Sequence, residues 1–264
     1  MIGASSEYAQ QTIKNLYKPL IDGRHLELIL TDNITAETIK YSWNAFSAIK
    51  ISYVNEIAEL CQKTGADIFT VIKGMSSSDK LLPLKAIVPG PGFGGSCLPK
   101  DTKAFVNIAD SLGLNLYLVK AAIDSNTHRK QEVAEKILSL LESPIQDKTV
   151  TLLGLSFKAN TDDIRYSPAL EIIPALLAHG VHVQAYDPAA MKNMEKLYPQ
   201  VTYCSSSMEA VNQTNLIVIL TEWQEFKHLD FKQIAQLVRN KVILDSRYLL
   251  TQSELIPSDY VYIN

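Results

Sequence analysis

One cysteine of this chain lies in an unusual loop. Residues 89–101 read P-G-P-G-F-G-G-S-C-L-P-K-D, and the four glycines let the backbone approach a ligand closely. Pro99 suits the first position of a helix, so Cys97 is expected at a helix N-terminus, where the helix dipole favours the thiolate. The carboxylate of Asp101 follows four residues later. We interpret Cys97 as a nucleophile with Asp101 as its polar partner; the alternative is a buried structural cysteine beside a turn.

Two further pairs of polar residues could take part in the same chemistry. Lys40 and Asn44 are four residues apart in a predicted helix and therefore share a face, although two solvated surface residues would have the same spacing. Lys158 and Arg165 flank the loop after a predicted strand, where two cations could bind phosphate groups. Ion pairs with the two aspartates between them would explain these cations equally well.

The composition narrows the class of protein. The 264 residues carry a net charge of −3, with 47% hydrophobic and 20% charged residues, which fits about two folded domains. A weakly acidic chain has no overall attraction to nucleic acid or to an anionic membrane. Its apolar runs are too short to cross a bilayer, and its first residues lack the pattern of a signal peptide. Three widely spaced cysteines suggest neither a disulfide framework nor a zinc site, so we expect a cytoplasmic protein.

Helices are predicted to position the candidate residues of the first half. Thr35 is expected to cap a helix that continues to about Lys63 and ends at Gly65. Spacings of three and four predict one apolar face on this helix, formed by Ile39, Trp43, Phe46, Ile49, Tyr53, Ile57 and Leu60. Further helices are predicted over 67–74, 100–112 and 119–141. Residues 34–143 are therefore predicted to form an all-helical domain.

The second half alternates between strand and helix patterns. Aliphatic and β-branched runs predict strands over 149–155, 181–186, 216–220, 242–244 and 261–263. Helical segments are predicted between them, over 168–179, 208–212 and 231–237. This alternation predicts a doubly wound parallel sheet over 144–264, and such sheets bind ligands beyond the carboxyl ends of their strands. The turn after the first strand is not a Gly-x-Gly-x-x-Gly dinucleotide fingerprint, so the domain is predicted to be Rossmann-like without the usual phosphate loop.

Three segments resemble the UDP-glucose/GDP-mannose dehydrogenase family. They are the loop 89–101, the helix segment 36–46 (A-E-T-I-K-Y-S-W-N-A-F) and the segment 154–168 (G-L-S-F-K-A-N-T-D-D-I-R-Y-S-P). The resemblance extends over nearly the whole chain. It implies an α/β protein in which an all-helical central dimerisation domain precedes a Rossmann-like sheet domain. It also implies a two-step, NAD-dependent oxidation of the C6 alcohol of a sugar nucleotide to a carboxylate, which would serve polysaccharide biosynthesis.

The resemblance implies roles for the catalytic candidates. Cys97 would capture the intermediate aldehyde as a thiohemiacetal, which becomes a thioester that water cleaves. Asp101 would assist a catalytic water, while Lys40 and Asn44 would stabilise the oxyanion and position that water. These roles suit the residue types, since lysine offers charge and asparagine a neutral donor to an oxygen that develops negative charge.

The resemblance also implies binding residues. Phe93, Gly94 and Gly95 of the loop, with Lys158 and Arg247, would hold the sugar nucleotide, and UDP-glucose is favoured over GDP-mannose. The N-acetylated sugar branch is disfavoured because its loop typically has a histidine before the cysteine. Lys80 stands where the family usually has an arginine, and it keeps the charge without a bidentate phosphate contact. Arg165 would lie near the phosphates of NAD, and the helix over 35–63 would pair two subunits in a homodimer.

Residues 1–33 are interpreted as a remnant of the family's N-terminal NAD-binding domain. They predict a helix over 5–20 between two strand fragments. Most of that domain, with its dinucleotide fingerprint and the family's catalytic threonine and glutamate, is expected to be missing, so the chain alone is expected to be inactive. Three alternatives remain: a non-catalytic fragment that dimerises and binds a sugar nucleotide, a GDP-mannose 6-dehydrogenase, and a β-hydroxyacid-type dehydrogenase that would not need Cys97.

Overall fold

The computed structural model describes residues 1–24, 27–77, 87–250 and 256–264. At the N-terminal side, strands β1 (Ile2–Gly3) and β2 (Leu30–Thr31) pair in parallel on either side of helix α1 (Glu7–Arg24) in the sequence. Every described residue of α1 remains at least partly exposed. This segment therefore contributes little to the core.

The longest helix of the described chain, α2, spans Asn33–Thr64. Its cap is Asp32 rather than the predicted Thr35, because the Asp32 carboxylate accepts a hydrogen bond from the backbone N–H of Thr35 at 2.9 Å. Such a cap satisfies a donor that the helix leaves unpaired and places negative charge at the positive end of the dipole. Gly65 ends the helix as predicted, with a φ of 79° that favours glycine.

Three more helices complete the helical part: α3 (Ile68–Met75), α4 (Leu98–Ser111) and α5 (Tyr117–Ser139). The residues that α2 buries are mostly small or polar: Asn44, Ala45, Ala48, Ser52, Val54, Asn55, Ala58 and Cys61. The predicted apolar face is thus not the face that this chain buries, since Trp43 is 68% exposed and Phe46 is 47% exposed. Small side chains on the buried face allow helices to approach closely, which explains why α4 and α5 pack there.

The sheet part consists of β3 (Thr149–Leu153), α6 (Ala169–Ala178), β4 (His182–Tyr186), α7 (Met191–Glu195), β5 (Thr202–Tyr203), α8 (Ser207–Ala210), β6 (Leu216–Ile219), α9 (Phe231–Ile234), β7 (Val242–Asp245) and β8 (Val261–Ile263). A short 3₁₀ helix spans Gln224–His228. The strands are parallel in the order β5-β4-β3-β6-β7-β8. The order reverses between β3 and β6, and ligands of such sheets bind beyond the carboxyl ends of the strands at that point.

Both faces of the sheet are covered. Ile137 of α5 and Ile172 of α6 lie in the core on one face, while Phe226 and Phe231 lie in the core on the other. β3 is buried along its whole length, as expected of a central parallel strand. The packing of α5 on α6 attaches the helical part to the sheet part. In the described ranges, no helix is long and apolar enough to cross a membrane.

Candidate active site

Residues 89–97, here called the glycine–cysteine loop, lead directly into α4. Cys97 occupies the N-cap position with Pro99 in the first turn, and the backbone N–H of Asp101 donates to the Cys97 carbonyl at 2.9 Å. The Cys97 side chain is exposed, so the alternative of a buried structural cysteine is wrong for this residue; it fits Cys61 and Cys204, which are buried. An accessible thiol at the positive end of a helix has the placement of a reactive cysteine.

A chain of hydrogen bonds connects α2 with the first turn of α4. Lys40 Nζ donates to Asn44 Oδ1 at 3.1 Å, and Asn44 Nδ2 donates to Asp101 Oδ2 at 2.5 Å. Asp101 also accepts from Lys100 Nζ through its other oxygen. Asn44 and Asp101 are both buried, so the alternative of solvated surface residues is wrong for Asn44. The structure thus joins three of the four predicted catalytic side chains in one network that begins one turn after Cys97.

The network keeps Asp101 ionised. Burial raises the pKa of this carboxyl, but the hydrogen bonds from Lys100 and Asn44, together with the charges of Lys100 and Lys40, outweigh that effect and lower its pKa below the ordinary value. The same contacts raise the pKa of Lys100. Asp101 is therefore ionised and acts as a hydrogen-bond acceptor at neutral pH.

The glycines allow the loop to touch the sheet part. A Cβ on Gly94 would lie 2.5 Å from the carbonyl oxygen of Tyr166, and a Cβ on Gly95 would lie 2.7 Å from the ring of Phe157. Gly95 also has a φ of 82°, and its N–H donates to the Arg165 carbonyl at 2.7 Å. Side chains at these two positions would force the loop away from the strand ends.

A cavity of about 280 Å³ lies beside the loop. It is lined by Ile51, Asn55, Ile87, Val88, Gly90, Gly92, Phe93, Gly94, Leu98, Phe157 and Arg247. Arg247 is held from the sheet side, because its Nε donates to the Leu220 carbonyl at 2.7 Å and its Nη2 donates to the Phe157 carbonyl at 3.0 Å. Burial lowers the pKa of Arg247, and the nearby carboxylate of Glu222 opposes this shift. The cavity thus contains one oriented cation beside the predicted sugar-binding loop.

Two other predicted binding residues, Lys158 and Arg165, are not among the residues that line this cavity. Lys158 is exposed, with its Nζ 5.4 Å from the centroid of the Phe157 ring. Arg165 makes a bidentate ion pair with Asp163, in which Nε donates to Oδ1 at 2.9 Å and Nη2 donates to Oδ2 at 2.7 Å, so the ion-pair alternative describes its arrangement here. Lys80 lies outside the described residues.

Sequence reasoning missed two asparagines around the loop. Asn55 accepts from the N–H of Gly90 at 2.8 Å, and its Nδ2 is buried without a hydrogen-bond partner among the described residues. Asn126 accepts from the N–H of Phe93 at 2.6 Å and donates to the Phe93 carbonyl at 3.1 Å. An asparagine inside a long helix has a poor helix propensity, and that is the signal that could have marked both positions.

The described residues form neither the strand-to-helix turn that binds a dinucleotide nor a cluster of metal ligands. The spacing Gly-x-Gly-x-x-Gly does occur once in the sequence, at Gly90, Gly92 and Gly95. Residues 87–96 form no strand, however, and the loop packs against α5 and Phe157 instead of closing a strand-to-helix turn of a sheet. No group of three His, Cys, Asp or Glu side chains in the described ranges could hold a metal ion.

Comparison with known proteins agrees with this geometry. The central domain of the UDP-glucose/GDP-mannose dehydrogenase family matches residues 34–128, and the UDP binding domain of the same family matches residues 151–252. The UDP-glucose 6-dehydrogenase of Rickettsia bellii is 39% identical over 257 residues, which cover 97% of this chain and 59% of that protein. The chain thus spans about three fifths of the length of this relative.

Solved structures give the same result. The UDP-glucose dehydrogenase of Pyrobaculum islandicum superposes with a TM-score of 0.83 at 30% identity, over 99% of this chain and 57% of that one. A GDP-mannose dehydrogenase from Pseudomonas aeruginosa superposes with a TM-score of 0.56 at 26% identity, over 98% of this chain and 59% of that one. With the two domain matches, these likenesses show that the chain belongs to the UDP-glucose/GDP-mannose dehydrogenase family.

Proposed function

We propose that this chain binds a UDP-sugar, with UDP-glucose foremost, and supplies the cysteine half of a nucleotide-sugar dehydrogenase site. The observation that carries the proposal is the glycine–cysteine loop, whose Cys97 is exposed and lies four residues before Asp101, and whose Gly90, Gly92, Phe93 and Gly94 line the Arg247 cavity. The names of the relatives support UDP-glucose. The larger TM-score with a UDP-glucose dehydrogenase than with a GDP-mannose dehydrogenase favours the uridine nucleotide over the alternative of a GDP-mannose 6-dehydrogenase.

In the proposed chemistry Cys97 is the nucleophile. Its thiolate adds to the C6 aldehyde of the sugar, and the carbonyl oxygen takes up a proton to give a thiohemiacetal. After oxidation to the thioester, water adds to the acyl carbon and passes a proton to the ionised Asp101, and the Cys97 thiolate leaves. Asn44 already donates to Asp101, so it orients the carboxylate, whereas Lys40 has ammonium protons left to stabilise an oxyanion.

Binding of the nucleotide would combine fixed and mobile cations. Arg247, held by two backbone carbonyls, would meet a phosphate or sugar oxygen in the cavity, and the free Nδ2 of Asn55 would donate to a second oxygen. Lys158 is exposed and long enough to close over the phosphates. Lys80 remains a predicted phosphate contact, and Phe93, Gly94 and Gly95 would form the wall against the sugar.

NAD is the oxidant that we propose for the complete reaction. The residues that the structure describes do not fit the group, because they contain no dinucleotide fingerprint between a strand and a helix and Arg165 is engaged by Asp163. A polypeptide of these 264 residues alone is expected to produce no measurable NADH from UDP-glucose, as in the alternative of a non-catalytic sugar-nucleotide-binding fragment. Robust NADH production by that polypeptide would contradict this expectation.

We also propose that two copies pair through α2. The face carrying Trp43, Phe46, Tyr53 and Leu60 presents side chains that are between 44% and 68% exposed. A stripe of large apolar side chains on one face of a helix is costly to leave in water and is typical of a subunit interface. Asn44 lies on the buried face of α2, so pairing through the exposed face leaves it in place.

Titration calorimetry with UDP-glucose tests the proposed binding. We expect the chain to bind UDP-glucose more tightly than GDP-mannose, and Arg247→Met to weaken binding about tenfold or more, because a charged hydrogen-bond donor is lost from the cavity. Arg239→Met is the matched control, since Arg239 is exposed and bonds to Gln213 away from the cavity. Equal affinities for the wild type and Arg247→Met would contradict the assigned site.

The third alternative, a β-hydroxyacid-type dehydrogenase, makes a different prediction for the thiol. Alkylation of Cys97 by iodoacetamide would leave such an enzyme active, whereas the proposed covalent chemistry would stop. The measurement requires the enzyme with an NAD-binding domain present. Retained activity after complete alkylation of Cys97 would favour this alternative.

A further inference from the structure

A buried lysine that the proposed chemistry does not use lies directly behind the glycine–cysteine loop. Lys130 of α5 is 6% exposed, and its Nζ donates to the backbone carbonyl of Tyr166 at 2.8 Å. Burial lowers the pKa of Lys130, and the charge of Glu171 only partly opposes this shift. A hydrogen bond to a neutral carbonyl compensates poorly for the desolvation of an ammonium group. Stability alone therefore does not explain a lysine at this position.

The Tyr166 carbonyl is part of the contact between the two halves of the site. Tyr166 has a φ of 54°, which is unusual for a side chain larger than glycine, and its carbonyl oxygen faces Gly94. The adjacent Arg165 carbonyl accepts from the N–H of Gly95. Two consecutive glycines of the loop thus lie against two consecutive carbonyls of the sheet part. The position of that pair of carbonyls decides where the loop stands relative to the strand ends.

Helix α5 holds both sides of this contact. Asn126 and Lys130 are four residues apart and therefore share one face of the helix. Asn126 forms hydrogen bonds with the N–H and the carbonyl of Phe93 in the loop, while Lys130 donates a hydrogen bond to the Tyr166 carbonyl. One rigid helix thus fixes a segment from each half of the chain.

We propose that Lys130 is a positioning residue, which sets the register between the glycine–cysteine loop and the Arg165–Tyr166 segment. Through that register it places Cys97 relative to the groups that bind the nucleotide. The consequence for sugar-nucleotide binding rests on the proposed function. The register itself is a property of the folded chain and can be measured without any ligand.

Amide hydrogen exchange in the whole 264-residue chain tests the proposal. In Lys130→Met, which keeps the aliphatic stem, we expect the N–H of Gly95 to exchange about tenfold faster or more, because the carbonyl segment that accepts its hydrogen bond is released. The matched control is Lys103→Met. Lys103 is exposed, stands over the Tyr166 ring with its Nζ 5.2 Å from the centroid, and makes no described hydrogen bond to the carbonyl. The control removes the same charge next to the same residue, Tyr166, and is expected to leave the exchange of Gly95 unchanged.

Thermal unfolding separates positioning from a structural role. Lys130→Met removes a buried charge, so its melting temperature is expected to equal or exceed that of the wild type even though Gly95 is released. Lys130→Arg is expected to restore slow exchange in part, because it keeps the donor and borders a cavity of about 270 Å³ that can accept the larger group. A lower melting temperature with faster exchange all along α5 would assign Lys130 a structural role and overturn the proposal.

Unchanged exchange at Gly95 in Lys130→Met would likewise overturn it. In calorimetry with UDP-glucose, Lys130→Met is expected to bind about tenfold more weakly than both the wild type and Lys103→Met. Failure of the wild type to bind UDP-glucose would count against the proposed function, while the exchange at Gly95 would still decide the role of Lys130.

Discussion

Gly94 provides a sharp steric test of the active-site geometry. Its φ lies outside the left-handed region, so an alanine at this position would suffer from lack of space and not from backbone strain. The added Cβ would lie 2.5 Å from the carbonyl oxygen of Tyr166 and 2.8 Å from its carbonyl carbon. Both atoms belong to the backbone and cannot rotate away. Gly94→Ala must therefore move the loop or the Arg165–Tyr166 segment.

The size of the effect follows from these distances. A carbon atom does not approach an oxygen much closer than about 3.0 Å, so the two segments must separate by at least roughly 0.5 Å. Overpacking of this kind costs about 1–3 kcal/mol, and a loss of about 2 kcal/mol lowers the melting temperature of a chain of this size by about 4–8 °C. The separation also stretches the hydrogen bond from Gly95 to Arg165, which measures 2.7 Å in the native chain.

Differential scanning calorimetry and the rate of Cys97 alkylation by iodoacetamide measure the two consequences. Gly94→Ala is expected to melt earlier and to change the alkylation rate, because the thiol lies three residues further along the same loop. The matched control is Gly90→Ala, whose Cβ would make an ordinary contact of 3.5 Å with Arg247 Nη1. Equal melting temperatures and equal alkylation rates for the two variants would refute the steric argument.

Three more predictions follow from the site and its surroundings. Asp101→Asn is expected to lower the free energy of unfolding by about 1–3 kcal/mol at neutral pH, because charged hydrogen bonds are lost. The folded-state pKa of Asp101 is lowered, so the contribution of Asp101 to stability is lost as the pH falls through that value. The difference in melting temperature from the wild type should therefore shrink below about pH 4, and a constant difference down to pH 3 would contradict this. Trp43→Glu is expected to convert a dimer to a monomer in sedimentation velocity. The control Tyr117→Glu replaces a similarly exposed aromatic residue of α5 and is expected to leave the mass unchanged. Identical masses for both variants would show that α2 is not the interface. Mass spectrometry of the native chain after brief iodoacetamide treatment should find Cys97 alkylated and Cys204 intact, since Cys97 is exposed and burial raises the pKa of the Cys204 thiol. Comparable labelling of both cysteines would argue against this placement of the thiols.

The sequence identified the long helix α2 and its apolar face, but not the second face that packs inside the chain. Periodicity shows that large apolar side chains share one face, yet it carries no information about what covers that face. The chain buries the side with Ala45, Ala48 and Ala58, because those small residues let α4 and α5 approach closely. The short elements α7 and β5 were missed for another reason: two to five residues are too few to show a period.

Local chemistry was sufficient to single out Cys97, the glycines before it and the parallel sheet after it. Glycine content, a proline at the first turn of a helix and alternating strand and helix patterns are properties of neighbouring residues, so the sequence alone determines them. The polar groups around the glycine–cysteine loop come from distant parts of the chain. Asn44 meets Asp101 across 57 residues, and Arg247 meets the Phe157 carbonyl across 90.

Only the tertiary structure decided how those distant parts meet at the loop. It buried Asn44 in the network around Asp101 and placed Lys130 against the Tyr166 carbonyl. Neither contact corresponds to a periodic pattern in the sequence, because each depends on how α2, α4 and α5 pack against one another and against the sheet part. The sequence by itself determined which residues can do the chemistry, and the packing of helices on the sheet determined which of them stand together.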